Sequence, residues 1–480
     1  MNKFRLFKTI LASGMTEIVN KLAPLFIVHY AHTKIGLEHF GSTQYAIGVV
    51  ELLGMLVALG YYQHAVMKVG RLLREGRPEE LAGFVGKVVA LRLIQAAVLL
   101  VPYVYYFTMV EDSIHGPVAL ALFFGFFTSA IDLSFIYVAE QRVFSLTVMT
   151  ALARVASVLG VVLFVADPSD YILFAVLTFG VNPLVAVISF VYFVNRYSLK
   201  WPRLSHLFPE FKAALPYGVY LFLFLASLKI DLFMAESLLN PLDLGVYTGV
   251  TKLFISLVHL INLLSLVFFS ESLAVSDEGI DTKVAKYSTG LLLLCFGWLI
   301  LMVTFSSELL IGILIGESFQ PGSWVLVISV WSLYLMSVQS VVTSQIYVKY
   351  GRMQVAIWAQ IVVLVGAVLV FGLGAGLGIP AMEFVALAMV CGRVLGVVFI
   401  GLASQGGADK AVMKTFGQFS FCLLLGFGGG YVLPGHFVLQ ILVSCGVFTG
   451  LVWYFNREFI GFVWSRALVR LGGETKKADG

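Results

Sequence analysis

Charged side chains are scarce in this chain of 480 residues: 12% are Asp, Glu, Lys or Arg, against 60% that are hydrophobic. A soluble domain carries about 25% charged residues, so this sequence cannot cover a water-facing surface of its size. Spanning a bilayer takes roughly 20 apolar residues per helix, and the length suits about a dozen spans with short connections. A large catalytic domain outside the membrane is thereby excluded. The net charge of +4 reports orientation in a membrane, not affinity for nucleic acid.

Cysteine and long outer loops are lacking as well. Cys295, Cys391, Cys422 and Cys445 lie in apolar runs without paired or metal-type spacing, so we expect inert thiols, with no disulfide, metal site or cofactor. The outer loops are short and acidic, which leaves no room for an external binding domain.

Fourteen continuous apolar stretches predict an all-α polytopic membrane protein, because barrel strands would alternate apolar and polar residues. Glu17 and Lys21 interrupt the first stretch and no small-residue cleavage pattern follows, so we interpret it as a retained helix, not a signal peptide. The predicted spans are 8–30, 40–66, 84–107, 117–139, 150–166, 171–194, 212–236, 246–270, 287–306, 324–348, 354–376, 381–404, 414–432 and 436–456.

Basic residues indicate the orientation. With a cytoplasmic N-terminus, 25 of the 31 Lys and Arg residues fall in cytoplasmic segments, Arg154 among them, and the outer loops hold only Lys34. By the positive-inside rule both termini are cytoplasmic. Arg92 lies near the cytoplasmic end of its span, where we expect its side chain to reach the interface.

The longest cytoplasmic connection, 195–212, contains Trp201, Pro202 and Pro209 and follows the sixth span. It predicts two pseudo-repeated six-helix lobes, 1–194 and 213–404, joined by this linker. Two additional spans follow at 405–456. The cytoplasmic tail, 457–480, begins with an amphipathic segment that predicts a helix on the inner surface.

Eight charged residues fall deep inside the predicted spans. Each costs about 2.5–3.5 kcal/mol at mid-bilayer even on lenient scales, so each is a functional candidate. Four basic and four acidic residues nearly cancel, which favours a hydrated internal cavity over a lipid-facing surface. The basic residues are Lys21, Lys229, Lys252 and Arg393; the acidic residues are Glu17, Glu51, Asp132 and Asp231.

Structural explanations stay open for several of these residues. Glu17 and Lys21, at i and i+4, would also form an ion pair that ties helices together. Asp132 suits an interfacial position as well as a buried one, and His259 suits a packing role as well as a proton carrier. A polar run in the tenth span would bind sugar hydroxyls or form interhelical hydrogen bonds; its members are Gln339, Ser340, Thr343, Ser344 and Gln345.

The two halves echo each other. The outer loop 36–41 follows a helix with an acid and a base and precedes Glu51; the loop 241–245 follows Lys229 and Asp231 and precedes Lys252. Parallel repeats of this kind occur in transporters that alternate access around a midplane site.

The same segments carry a family resemblance. Residues 35–45, 229–231, 244–253, 310–319 and 350–352 resemble, in order along the helices, the polysaccharide flippases of the multidrug/oligosaccharidyl-lipid/polysaccharide exporter superfamily. The chain departs from that family in lacking a proline near the inner end of its eighth span. Fourteen spans exceed the twelve usual for O-antigen flippases and equal the number in lipid II flippases, which leaves the sub-family open.

The resemblance implies a non-enzymatic flippase of the bacterial inner membrane that moves undecaprenyl-pyrophosphate-linked oligosaccharide, such as an O-antigen repeat unit of lipopolysaccharide, by alternating access. Its partners would be that lipid-linked oligosaccharide, membrane lipids, and a polysaccharide polymerase and glycosyltransferases of the same pathway. Lys229, Asp231 and Lys252 match cavity positions of the family, and Lys21 and Arg393 join them as substrate-binding candidates on the physical argument alone.

Proton or sodium coupling is a further hypothesis, with Glu17, Glu51, Asp132, Asp231 and His259 as candidate ion sites. A cation-coupled multidrug exporter of the same superfamily is the alternative, although four deep basic residues disfavour cationic cargo. A lipid-linked glycan polymerase or ligase is less consistent with outer loops this short, and a structural scaffold would not need charged helix interiors.

Overall fold

The structure, a computed structural model, describes residues 3–58, 61–110, 114–203, 207–273, 278–347, 351–374, 381–404, 406–432 and 437–456. Within these ranges the structure does not describe the side chains of residues 3–22, 63, 217, 259–273, 278–281, 284, 344 and 345. Of the residues that the structure describes, 91% are helical, as the continuous apolar runs predict. The tail helix predicted after residue 456 lies outside the described residues.

Eighteen α-helices occur in the described part of the chain. They are α1 (Lys3–Ala58), α2 (Tyr61–Arg74), α3 (Pro78–Tyr105), α4 (His115–Ala121), α5 (Phe124–Ile131), α6 (Phe135–Ala139), α7 (Val143–Phe164), α8 (Tyr171–Phe179), α9 (Val181–Tyr197), α10 (Phe208–Ala226), α11 (Ile230–Leu238), α12 (Pro241–Leu273), α13 (Glu278–Leu314), α14 (Ser323–Val341), α15 (Met353–Gly374), α16 (Ala381–Ala403), α17 (Gly407–Tyr431) and α18 (Phe437–Phe455).

Thirteen segments of the described chain are long and apolar enough to cross a membrane. Twelve of them coincide with the third to fourteenth predicted spans. The difference lies in α1, which the backbone of Gly36 (φ 78°, ψ 163°) divides into two helices, each carrying one of the first two predicted spans. The protein is therefore a multi-pass membrane protein, as the composition indicates.

The second predicted span, 40–66, extends too far. Its helix ends at Ala58, and α2 is a separate amphipathic helix. One face of α2 is buried in an apolar cluster with α3, α6, α9 and α10. Hydropathy alone merges the two because the apolar residues of α2 continue the apolar run.

The fourth span is broken between α5 and α6, where Asp132 has an extended backbone. Neighbouring side chains satisfy the freed backbone groups: Arg92 Nη1 donates to the Asp132 carbonyl at 2.7 Å, and the Leu133 amide donates to Ser189 Oγ at 3.1 Å. The Asp132 carboxylate accepts from the Ser134 amide at 2.9 Å. Arg92 is 2% exposed, so the expectation that it reaches the interface is wrong: it holds the break instead.

Residue packing divides the chain into two compact units. The first comprises Met1–Leu253, Ile311–Val325 and Phe371–Ala386, and the second Phe254–Leu310, Leu326–Val370 and Leu387–Gly480. The predicted lobes 1–194 and 213–404 and the linker 195–212 stay predictions.

Glycines bring the last two helices of the second unit together. A Cβ on Gly426 of α17 would lie 2.9 Å from the Ser444 carbonyl oxygen and from Phe448 Cβ of α18. At the start of α17, the buried Asp409 carboxylate accepts from Arg352 Nη1 at 2.7 Å. This ion pair ties α17 to the turn before α15.

Candidate functional site

Lys229 and Glu51 form an ion pair inside the first unit, with Nζ 2.7 Å from Oε2. A glycine positions the pair. Gly48 faces Leu232 so closely that a Cβ at residue 48 would overlap the leucine side chain. Glu51 lies one turn after Gly48 on α1, and Lys229 lies three residues before Leu232, so the close packing of α1 on α11 brings the two charges together.

A helix break places Lys229 between α10 and α11. Its amide donates to the Ala226 carbonyl and that of Leu228 donates to the Leu225 carbonyl, both at 3.0 Å. Lys229 thus lies at the end of a tight turn, twelfth in the apolar segment Gly218–Leu238. Discontinuous membrane helices of this kind form the binding sites of many transporters.

Two more cations act on the Glu51 carboxylate: Lys252 of α12 and Arg154 of α7. Lys252 is partly buried and lies within electrostatic range of Lys229 and Arg154 as well. Arg154 Nε is buried and has no hydrogen-bond partner within the described residues. We call Glu51, Arg154, Lys229 and Lys252 the charge cluster. Three cations around one carboxylate leave an excess positive charge that suits an anionic group.

Sequence reasoning misses Arg154. The count of basic residues assigns it to a cytoplasmic segment because the fifth span is predicted to start at 150, whereas α7 starts at Val143 and Arg154 is its twelfth residue. The helix period holds the missing signal. Leu152, Val155, Leu159 and Leu163 form an exposed stripe along α7, and Arg154 projects from the opposite face, toward the protein.

Asp231 has a different partner. Its carboxylate accepts a hydrogen bond from the buried Tyr247 hydroxyl at 3.0 Å, which joins α11 to α12. Because residues at i and i+2 point to different sides of a helix, Lys229 reaches Glu51 while Asp231 faces Tyr247. Asp231 still acts on Lys229 electrostatically, so it lowers the net charge near the cluster.

The remaining sequence candidates are distributed as follows. Arg393 is 1% exposed in the second unit, where its Nη1 donates to Gln339 Oε1 at 3.3 Å. Asp132 lies at the helix break beside Arg92. The side chains of Glu17, Lys21 and His259, and of Ser344 and Gln345 in the polar run, lie outside those described. Substrate or ion binding by these residues stays a prediction.

The two segments that echo each other in sequence, 36–41 and 241–245, are helical instead of the predicted outer loops: they lie at the Gly36 kink of α1 and at the start of α12, and they meet in the first unit. A Cβ on Gly41 of α1 would lie 2.6 Å from the Gly245 amide nitrogen of α12, and one on Gly245 would overlap the Leu37 carbonyl oxygen. The two backbones therefore touch, as small residues permit between membrane helices. We call this the glycine contact.

An aromatic layer adjoins the glycine contact. Phe319 is fully buried, with its ring centroid 6.1 Å from that of Phe40 and 5.0 Å from that of His32. It also lies against Gly249, where a Cβ would overlap its ring. Gly249 is one turn before Lys252, so the aromatic layer borders the charge cluster along α12.

Solved transporter structures share the fold. The lipid II flippase MurJ in an inward closed conformation aligns with a TM-score of 0.71 at 14% identity, over 95% of this chain and 100% of that chain. An inward-facing multidrug resistance MATE family transporter of the MOP superfamily gives 0.59 at 13% identity, over 83% and 96%. The MATE multidrug transporter DinF-BH gives 0.55 at 18% identity, over 84% and 96%.

No protein-family model matches the sequence, and no curated protein does. At these identities the likeness establishes the fold: the chain has the polytopic helical architecture that the flippase and the multidrug transporters share.

Proposed function

We propose that this chain, which has the fold shared by the MurJ and MATE structures, is a flippase for undecaprenyl-pyrophosphate-linked oligosaccharide in the bacterial inner membrane. The charge cluster is the observation that carries the proposal. Arg154, Lys229 and Lys252 lie near the middle of their apolar segments, where an uncompensated cation is costly. An anionic cargo explains why three cations converge there on one carboxylate.

The chemistry of the cargo fits the cluster. A pyrophosphate needs charge-assisted hydrogen bonds to leave water, and the polyprenyl chain can stay in lipid. In the structure Glu51 holds Lys229 by a direct ion pair. Phosphate oxygens of the arriving cargo would bind Lys229 and Lys252 in place of Glu51 and would accept a hydrogen bond from Arg154 Nε. Glu51 would then lose its partner, which makes it a candidate for coupling to a proton or sodium ion.

The glycine contact supports an alternating-access mechanism. In the predicted orientation it lies on the outer side of the membrane, where it would close that side together with the aromatic layer of Phe40 and Phe319. Cargo would enter from the cytoplasmic side, and the backbones at Gly41 and Gly245 would separate to release it. Both termini are cytoplasmic in this scheme, and transport proceeds without catalysis.

Reconstitution tests the charge requirement. Proteoliposomes loaded with a lipid-linked oligosaccharide are treated with a lectin or glycosidase on one side, and the rate at which cargo becomes accessible is measured. Lys252→Gln should slow flipping by about tenfold or more, since a hydrogen bond to a charged group contributes about 1.5–3 kcal/mol. Lys212→Gln, at an exposed lysine of α10, is the matched control. Equal rates for both variants, each folded, would refute the cationic site.

A multidrug exporter is the second candidate, favoured by the likeness to the MATE structures. The excess of cations in the charge cluster disfavours cationic drugs. The same proteoliposomes discriminate between the two: export of a cationic dye that does not compete with the lipid-linked sugar would favour the exporter.

The cargo sugar is identified in cells. A strain lacking the protein should accumulate a lipid-linked oligosaccharide on the inner leaflet, and the glycan composition decides between an O-antigen unit and lipid II. Unchanged lipid-linked pools would contradict the proposal.

A further inference from the structure

A second polar site lies away from the charge cluster, in a pocket of 620 Å³ between α2, α6 and the end of α9. All of its lining residues belong to the first unit. The apolar segment His115–Ala139 ends at this pocket, Val143–Phe164 begins beside it, and Pro168–Tyr197 ends there. The pocket therefore lies at a membrane boundary, and in the predicted orientation at the cytoplasmic one.

The wall of the pocket on α2 is apolar. Helix α2 buries one face, at Tyr61, Ala65, Val69 and Leu72, in the protein core. Its second face, at Val66, Gly70 and Leu73, follows the i, i+4, i+7 spacing of a helix and lines the pocket together with Met67. Met67 is 56% exposed. A Cβ on Gly70 would meet nothing within 4 Å, so this second face borders open space.

The rim of the pocket is cationic. Arg74, Arg142 and Arg196 line it. The one acid, Glu140, has a side chain that is only 7% exposed. Its two oxygens accept from the Tyr192 hydroxyl at 2.8 Å and the Tyr197 hydroxyl at 2.5 Å.

Glu140 also draws the arginines together, since Arg142 Nε and Arg196 Nε each lie 3.6 Å from one of its oxygens. Two guanidinium groups thus face one carboxylate that is already bonded to two tyrosines, and Arg74 adds a third positive charge to the lining of the pocket. The remaining positive charge suits an anionic ligand. A guanidinium group can bind two phosphate oxygens through two parallel hydrogen bonds. The side chains of Arg142 and Arg196 are about half exposed, which leaves them within reach of such a ligand.

We propose that the pocket binds one anionic phospholipid, with its phosphate against Arg74, Arg142 and Arg196 and an acyl chain along the Val66, Gly70 and Leu73 face of α2. Basic pockets between membrane helices on the cytoplasmic side recognise anionic head groups, and the apolar wall distinguishes a lipid from a free anion. This site is independent of the proposed transport function.

Native mass spectrometry of the full chain in detergent tests the site, with phosphatidylglycerol and phosphatidylcholine of the same acyl chains as probes. Wild type should retain one phosphatidylglycerol in preference to phosphatidylcholine. Gly70→Phe fills the open space and should weaken that binding by about tenfold, which corresponds to about 1.4 kcal/mol. Gly70→Ala, which raises helix propensity and leaves the pocket open, should bind as wild type does.

Arg74→Gln provides a second variant. Arg74 is exposed, and among the described residues it forms neither a hydrogen bond nor an ion pair with Glu140. Its binding of phosphatidylglycerol should fall about fivefold, since one basic side chain near a membrane surface contributes about 1 kcal/mol, and phosphatidylcholine binding should not change. It decides the question by itself if Gly70→Phe does not fold.

Three results would overturn the proposal. Equal retention of the two lipids by wild type removes the charge preference. Equal binding by Gly70→Phe and Gly70→Ala places the lipid elsewhere. Displacement of phosphatidylglycerol by inorganic phosphate or by a polyprenyl pyrophosphate at equal concentration assigns the pocket to a free anion or to the cargo.

Discussion

Neutralising Glu51 should destabilise the protein more than neutralising Lys229 does. Glu51→Gln leaves Arg154, Lys229 and Lys252 to repel one another, whereas Lys229→Gln leaves Glu51 with two cations. Opposite charges 2.7 Å apart attract by about 6 kcal/mol at an effective dielectric constant of about 20, and desolvation offsets much of that attraction.

The net cost follows from burial. Removing one partner of a fully buried pair costs about 3–5 kcal/mol. The Lys229 and Glu51 side chains are 18% and 30% exposed, so we expect about 2–3 kcal/mol for Glu51→Gln and about 1 kcal/mol for Lys229→Gln. The double variant should recover part of the loss, with a coupling free energy of about 1–2 kcal/mol.

Thermal unfolding of the purified protein in detergent measures these differences. Inorganic pyrophosphate should raise the melting temperature of Glu51→Gln more than that of wild type, because the anion replaces the missing carboxylate. Equal losses for the two single variants, or additive losses in the double variant, would refute the reasoning that Glu51 holds three cations together.

Three further predictions concern contacts outside the charge cluster. Gly245→Leu forces a side chain into the α1 backbone, so we expect flipping in proteoliposomes to be lost. Asp409→Asn leaves Arg352 without its carboxylate and should lower the free energy of unfolding by about 3 kcal/mol, measured with denaturant in detergent. Burial raises the pKa of Glu210, but hydrogen bonding and charge from Lys68 outweigh it and hold that pKa below its ordinary 4.5. In thermal unfolding, wild type should lose this stabilisation as the pH falls through the lowered pKa of Glu210. Glu210→Gln should be about 2 kcal/mol less stable at neutral pH and should lack this decrease in stability at acid pH, the acid limb of the profile.

Controls for these variants lie in the same chain. Gly446→Leu adds a side chain where a Cβ meets nothing within 4 Å and should flip cargo normally. Glu79→Gln removes an acid whose side chain is 85% exposed and should leave the pH profile unchanged. Normal flipping by Gly245→Leu, an Asp409→Asn variant as stable as wild type, or an unchanged acid limb in Glu210→Gln would each contradict the corresponding contact.

The class of fold and twelve of the spans are predictable from the sequence because continuous apolar runs depend on composition alone. Lys229 and Lys252 are found for the same reason: a charge inside such a run is visible without a structure. Their shared partner Glu51 is visible too, but the pairing is not, because it depends on the packing of Gly48 against Leu232, residues 184 positions apart.

Helix breaks escape prediction for a different reason. The breaks at Asp132 and before Lys229 contain neither proline nor glycine, and the one at Asp132 is stabilised by Arg92 and Ser189 from other helices. Local sequence carries no record of such partners. Arg154 is misplaced because the predicted helix start lies seven residues late, so the count of basic residues assigns it to a cytoplasmic segment.

The glycine contact has a consequence for how the chain could have arisen. Gly41 and Gly245 hold corresponding positions in the predicted repeat, so a single-lobe ancestor that paired with itself would have placed this residue against its own symmetry mate. At a two-fold axis any side chain must fit beside an identical copy, and where two backbones touch only hydrogen does so. A substitution in that ancestor would have changed both sides of the contact at once, whereas in a duplicated chain the two positions would vary independently. Related chains with a larger residue at one of the two glycines and a compensating change in the opposite helix would then be evidence that the two halves have diverged from a symmetric ancestor.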